Sequence, residues 1–148
     1  MNVLHEKRTV LFICTQNSAR SQMAEGMCNH LFNERFEAKS AGTESSEVNR
    51  YAITVMAEIG IDLSHHRSKG IDEFARERFD YVVTVCDHAK ETCPFFPGEG
   101  TRLHKNFEDP AGITDMGEEA TMARFRRTRD EILAWIREIF GNDYEMPK

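Results

Sequence analysis

Residues Val10–Ser21 read VLFICTQNSARS, and the change of character midway through this stretch decides the fold. Four apolar residues without polar alternation, Val10 to Ile13, extend a run from Thr9 to Cys14 that predicts a strand covered on both faces. Small polar residues follow Cys14. From Ser18 to about Phe32 the pattern turns helical, with Met23, Met27, His30 and Leu31 near one face. A strand-to-helix turn gathers backbone N–H groups that lack intrahelical acceptors, and these can converge on one tetrahedral anion. Arg20 adds a planar fork suited to two anion oxygens. Cys14 lies at the mouth of the cradle, in the same positive field, which favours a nucleophilic sulfur. The stretch predicts a thiol aimed at a bound oxyanion.

Working outward, Phe36–Ala41 reads as a short strand ended by Gly42. Asn49 is placed to cap a helix in which Ala52, Val55, Met56 and Ile59 recur, with Gly60 as its stop. Ile71–Arg78 predicts a short helix, Phe79–Val85 a second buried strand, and Thr101–Phe107 a weaker one. After the loop signal Asp109-Pro110-Ala111-Gly112, a long helix carries an apolar stripe of Phe125, Ile132, Leu133, Ile136, Ile139 and Phe140 and stops at Gly141. Arg124, Arg126, Arg127 and Arg129 read as its wet face. Strands alternating with helices define an α/β chain, one domain over residues 1–148, with a parallel sheet and right-handed crossovers. Ligands in such sheets bind beyond the carboxyl ends of strands. Cys14 ends one strand and Cys86 follows another, so two thiols distant in sequence are expected to meet.

A net charge of −6 argues against general nucleic-acid binding. No apolar run approaches membrane-spanning length, and the patch at Val10–Ile13 is too short for a signal segment, so a cytoplasmic location is expected. Four cysteines, Cys14, Cys28, Cys86 and Cys93, are few for a disulfide scaffold. Cys28 reads as a small core residue, and His65-His66 as a solvent-facing pair. For Cys86 and Cys93 three readings stay open: inert loop residues, metal ligands together with His88 and either Asp87 or Cys14, or a redox pair. Structural zinc favours shorter spacings and a second ligand pair, so no metal and no cofactor is expected. In a regular helix seven positions separate the two sulfurs by about 10 Å, too far for a disulfide without remodelling.

The run Cys14–Gly26, CTQNSARSQMAEG, resembles the anion loop of thiol-dependent arsenate reductases, which share the fold of low-molecular-weight protein tyrosine phosphatases. The likeness continues through SAGTE at 40–44, GID at 60–62, VVTVC at 82–86, Cys93-Pro94 and FEDPAG at 107–112, nearly the whole chain. The resemblance implies a four-stranded parallel sheet flanked by helices with flavodoxin-like winding. It makes Cys14 the nucleophile and wraps the oxyanion with Thr15, Gln16, Asn17, Ser18, Ala19 and Arg20. Ser21, and also Ser18, would hydrogen-bond the sulfur or the loop backbone, and Asn17 would brace the loop, helped by its tolerance of left-handed backbone. Asp109 matches the general acid; by itself, Asp109-Pro110 is simply a turn.

Cys86 and Cys93 separate the relatives. A phosphatase needs one cysteine, whereas a reductase must supply two electrons. The resemblance implies reduction of arsenate to arsenite through a Cys14/Cys86/Cys93 disulfide relay that includes remodelling of the segment between the last two. It also implies phosphate or sulfate as competing oxyanions and a thioredoxin-like reductant; a monomer is the default expectation. The alternatives are a low-molecular-weight phosphatase and a non-catalytic oxyanion-binding or redox-sensing module. Two positions depart from the family pattern. Ala19 stands where many thioredoxin-linked members carry a second loop cysteine. Lys69 stands where potassium-binding members carry Asp, beside matches at Asn17, Glu25 and Ser40, so an ammonium in place of the cation is expected.

Overall fold

Strand β1 (Arg8–Cys14) is the centre of the sheet, and Val10 to Ile13 are fully buried within it. In the computed structural model, which describes residues 7–112 and 117–141, β2 (Phe36–Gly42) pairs with one edge of β1 and β3 (Tyr81–Thr84) with the other. Strand β4 (Thr101–His104) pairs with β3, giving the order β2-β1-β3-β4 with every strand parallel. This is the flavodoxin-like winding, and its direction reverses at β1. The crevice for a ligand therefore opens between the ends of β1 and β3. Register pairs Ile13 with Thr84, and Val85 N–H donates to Ile13 O at 2.9 Å. Cys14 and Cys86 leave the sheet side by side.

Helix α1 (Arg20–Leu31) starts two residues after Ser18, once the loop has turned. Helix α2 (Arg50–Glu58) begins as expected at Asn49, whose Oδ1 accepts from Tyr51 N–H at 2.8 Å. Gly60, at φ 81°, takes the left-handed conformation beyond its end. Helix α4 (Gly117–Phe140) packs on α1 and α2, with Phe125, Ile132, Ile136 and Phe140 fully buried. Phe140 meets Phe12 and Phe36 edge-on at 5.9 and 5.0 Å, contacts of about 0.5–1.5 kcal/mol each beyond their buried area.

Three expectations need correction, and one short helix is added. The helix expected over Ile71–Arg78 is a single 3-10 turn, Ile71–Phe74, because Phe74 alone is buried there and one anchor makes no helical face. Regular β4 stops at His104, short of Phe107, although Lys105 and Phe107 N–H still bond to Thr84 and Val85 carbonyls. The polar segment after Cys86 forms a short helix, α3 (Asp87–Thr92). Arg124 and Arg129 are buried rather than wet: Arg124 bonds Pro110 O, and Arg129 bonds Val55 O and Glu58. Among the described residues no helix is long and apolar enough to cross a membrane.

Candidate active site

Every carbonyl from Cys14 to Ala19 already has a donor. Thr43, Glu44 and Ser46 N–H groups take those of Cys14, Thr15 and Gln16, and Asn49 N–H takes that of Ser18. Gln22 Nε2 donates to Asn17 O, and Met23 N–H to Ala19 O. In a trans peptide the N–H lies opposite the carbonyl, so this outward ring of acceptors turns the amides of Thr15 to Arg20 the other way. Asn17 N–H accordingly points at Cys14 Sγ, 3.2 Å away. Gly42 permits the close fit of loop on strand: a Cβ there would lie 2.6 Å from Thr15 O and 2.8 Å from Asn17 N. Asn17 itself adopts the left-handed conformation, φ 53°.

The resulting cavity, about 130 Å³, is lined by Cys14, Thr15, Gln16, Ser18, Ala19, Arg20 and Asp109. Asn17 and Ser21 stand behind this wall, fully buried. Ser21 Oγ is 2.8 Å from Cys14 Sγ and accepts from Asn17 Nδ2 at 2.7 Å. Arg20 Nη1 donates to Phe107 O at 3.1 Å, and its Nη2 is 3.9 Å from Asp109 Oδ2. The guanidinium has five donors, so this anchorage leaves others for an anion. Asp109 is half exposed, and its Oδ1 accepts from Ala111 N–H at 2.9 Å, so it is both turn-former and cavity wall.

Cys86 caps the N-terminus of α3, its Sγ accepting from Ala89 N–H at 3.4 Å, and lies 3.3 Å from Thr15 Oγ1 of the anion loop. Cys93 is the C-terminal cap of the same helix, and its thiol donates to Pro94 O at 3.3 Å. Burial pushes the Cys93 thiol up, while the Arg102 guanidinium acts against that rise. No disulfide joins these cysteines, and α3 keeps Cys86 and Cys93 a helix-length apart. Cys28 is fully buried in the core, where burial pushes its thiol up to about 12. Among the described residues no group of three or more His, Cys, Asp or Glu side chains is arranged to hold a metal.

Sequence reasoning missed the support behind the loop. Gln22 Nε2 donates to Asn17 Oδ1 at 2.9 Å, and Lys69 N–H to the same oxygen at 2.8 Å. His66, expected at the surface, is mostly buried with Nδ1 2.8 Å from Gln22 Oε1. Because Gln22 Nε2 is spent on Asn17 and Arg67 carbonyl oxygens, Oε1 must accept and His66 Nδ1 must donate. The available signal was Gln22 itself, a polar residue on the apolar inner face of α1. The Lys69 ammonium does sit beside Glu25, 3.7 Å from Oε1, while Ser40 Oγ bonds the same carboxylate. A larger groove of about 730 Å³ runs past His66, Lys69 and Glu25, but no wall of it comes from Cys14, Cys86, Cys93, Arg20 or Asp109.

An anion-shaped loop at the switch point of a parallel sheet, with a buried thiol at its base, defines a cysteine-centred phosphatase-type α/β protein. The pattern of the low molecular weight phosphotyrosine protein phosphatases matches residues 9–142, and the chain belongs to that family. It is 44% identical over 126 residues to an arsenate reductase of Halalkalibacterium halodurans, covering 85% of this chain and 90% of that protein. A solved arsenate reductase in its phosphate-binding state superposes with a TM-score of 0.76 at 31% identity, over 88% of this chain and 95% of the other. A thioredoxin-dependent arsenate reductase of Corynebacterium glutamicum gives a TM-score of 0.68 at 27% identity, over 94% of this chain and 63% of that one.

Proposed function

We propose that this chain is an arsenate reductase that works by a three-thiol relay. The observation that carries the reading is the grouping of thiols: Cys14 in the anion loop, Cys86 bonded to that loop through Thr15, and Cys93 at the far end of the helix that Cys86 caps. A phosphatase has use for the first alone. Relatives and solved neighbours named arsenate reductases support the same conclusion.

Arsenate enters the cradle of Thr15, Gln16, Ser18, Ala19 and Arg20 amides, with the Arg20 fork on two oxygens. Phosphate and sulfate, of the same shape, compete. The Cys14 thiolate attacks arsenic(V), and Asp109 protonates the departing oxygen, which leaves as water. Ser21 and Asn17 hold the sulfur in place. Cys86 then attacks Cys14 Sγ; the S–As bond breaks, its electron pair stays on arsenic, and arsenite leaves with a Cys14–Cys86 disulfide behind it. Cys93 attacks Cys86 next, moving the disulfide outward and freeing Cys14. Joining Cys86 to Cys93 requires α3 to unwind, since its ends lie about 10 Å apart by helical rise. A thioredoxin-like dithiol reduces the Cys86–Cys93 bond, and the cytoplasm, which keeps such a dithiol reduced, is the fitting compartment.

The test is arsenate-dependent oxidation of reduced thioredoxin, set against hydrolysis of an aryl phosphate by the same protein. Cys14→Ser should abolish turnover, and Cys93→Ser should stop after one arsenite with Cys14 bonded to Cys86. Steady multiple turnover by Cys93→Ser would sink the relay. Phosphate-ester hydrolysis without arsenate reduction would instead make the chain a phosphatase.

A further inference from the structure

Cys93 does not sit in open solvent waiting for Cys86. It is 8% exposed, and its thiol is spent on Pro94 O. Arg102, on β4, reaches the same carbonyl: its Nη2 donates to Pro94 O at 2.8 Å. Thiol and guanidinium thus converge on one acceptor. The Arg102 side chain is itself only 18% exposed. Glu99 fixes its plane, with Oε2 accepting from Nε at 3.0 Å and Oε1 from Nη2 at 2.8 Å. Glu99 Oε1 also accepts from Phe96 N–H at 2.9 Å, so the fork is built into the loop after Cys93. The Phe95 ring covers the guanidinium at 4.4 Å although 76% exposed, the one exposed large hydrophobic among the described residues.

We propose that Arg102 is a positioning residue for the second exchange of the relay, its guanidinium being the cation against which Cys93 becomes the thiolate that attacks Cys86. The role rests on the relay proposed above. A thiol bonded to a carbonyl must give up its proton before it attacks, and the anion left behind is repelled by that carbonyl oxygen. A cation already bound to the same oxygen offers the sulfur a replacement partner. Burial works against ionisation of Cys93; of the charged groups that act on it, Arg102 favours the anion and Glu99 opposes it. Pairing Glu99 to Arg102 limits that opposition. In the exchange the Cys93 proton passes to solvent, the Cys93–Cys86 bond forms, the Cys86–Cys14 bond breaks and Cys14 leaves as a thiolate. No net electrons are gained or lost. Lys offers one charge without the planar fork, so Arg102→Lys keeps part of the effect and Arg102→Gln none.

Two measurements on the full chain test this. In single turnover with arsenate, Arg102→Gln should leave the first arsenite burst unchanged and slow the appearance of the Cys86–Cys93 disulfide about fivefold near neutral pH. The deficit should shrink as pH rises and the thiol ionises unaided, and Arg102→Lys should recover part of the rate. The second measurement needs no arsenate: alkylation of Cys93 by iodoacetamide, mapped by peptide mass, should slow in Arg102→Gln with its pH curve displaced upward. A burst absent from the unaltered protein defeats the relay and this role with it. An intact burst with Cys93 reactivity equal to or faster than the unaltered protein's, or slowed equally at every pH, defeats the role of Arg102 alone.

Discussion

Ser21 Oγ lies 2.8 Å from Cys14 Sγ, placed to donate to the sulfur when Cys14 is a thiolate. A thiolate has no proton to give and can only accept, while Asn17 Nδ2 donates to Ser21 Oγ at 2.7 Å and leaves the hydroxyl proton free for the sulfur. Asn17 cannot turn its amide over, because Oδ1 already accepts from Gln22 Nε2 and from Lys69 N–H. The orientation of the donor at the nucleophile is therefore set by residues from α1 and from the loop after α2.

Ser21→Ala removes one of the two donors on Cys14 while leaving the cavity walls in place. A hydrogen bond to a charged group contributes about 1.5–3 kcal/mol, so the first arsenite burst should slow roughly ten- to a hundredfold. The later Cys86–Cys93 exchange should slow as well, because Cys14 leaves it as a thiolate that has lost the same donor. Rapid-quench arsenite release with disulfide mapping separates the two steps. A burst at the original rate would remove Ser21 from the chemistry.

Lys69 gives a prediction about ions. Its Nζ is 3.0 Å from Arg67 O and 3.7 Å from Glu25 Oε1, so a charged group of the chain already faces the Glu25 carboxylate beneath the loop. Turnover should be the same in potassium and sodium chloride at equal ionic strength. Lys69→Met should lower stability by less than the about 3–5 kcal/mol of a broken, fully buried pair, because solvent reaches both partners. Strong activation of the unaltered protein by potassium would show that the ammonium does not serve in place of a metal cation.

The sheet was legible because its signals are local. Val10–Ile13 carries an unalternating apolar run, and the expected meeting of Cys14 with Cys86 follows from strand ends in a parallel sheet. Asn49 caps through its own side chain two residues on, a contact contained in the sequence. What depends on distant partners was illegible. The acceptor for Arg124 is Pro110 O across a loop, and the donor to Gln22 is His66, 44 positions away. Position had in fact marked one of the two buried arginines: Arg124, Thr128, Ile132, Ile136 and Phe140 recur every four residues on one face of α4. Residue type suggested water; spacing was the better guide. Helix α3 hides for a different reason, since its cap is the cysteine sulfur and its buried side chain is a single Ala89.

Arg124 links the last helix to the loop that carries Asp109. Its Nε and Nη2 donate to Pro110 O at 3.2 and 2.7 Å from a side chain that is almost wholly buried. Arg124→Met keeps the stem and loses the fork. It should cost about 1.5–3 kcal/mol of stability, as for hydrogen bonds to a charged group, and slow the burst by letting Asp109 wander. Arg124→Lys should recover some stability and less of the rate, because one ammonium cannot reproduce two donors in a plane. Thermal unfolding and single-turnover rates read the two effects. A variant that loses stability with an unchanged burst would confine Arg124 to a structural part.

Glu58 closes the gap between α2 and α4. Its Oε1 accepts from Arg126 Nε at 3.0 Å and Arg129 Nη1 at 2.8 Å, and its Oε2 from Arg126 Nη2 at 2.8 Å. The Arg126 bonds, followed by those from Arg129, hold its carboxyl down from an ordinary 4.5 to about 2. A folded-state value below the unfolded one means that the folded chain keeps Glu58 ionised where the unfolded chain binds a proton. The stabilisation is therefore complete above pH 4.5 and is lost as pH falls toward 2. Glu58→Gln keeps the shape and removes the charge. The Tm difference between the two proteins should be largest near neutral pH, begin to close below 4.5 and vanish by about 2. Salt should narrow it as well, because the Arg126 and Glu58 side chains are partly open to solvent. A difference that held constant from neutral pH down to 2 would mean that packing, rather than the charge on Glu58, joins the two helices.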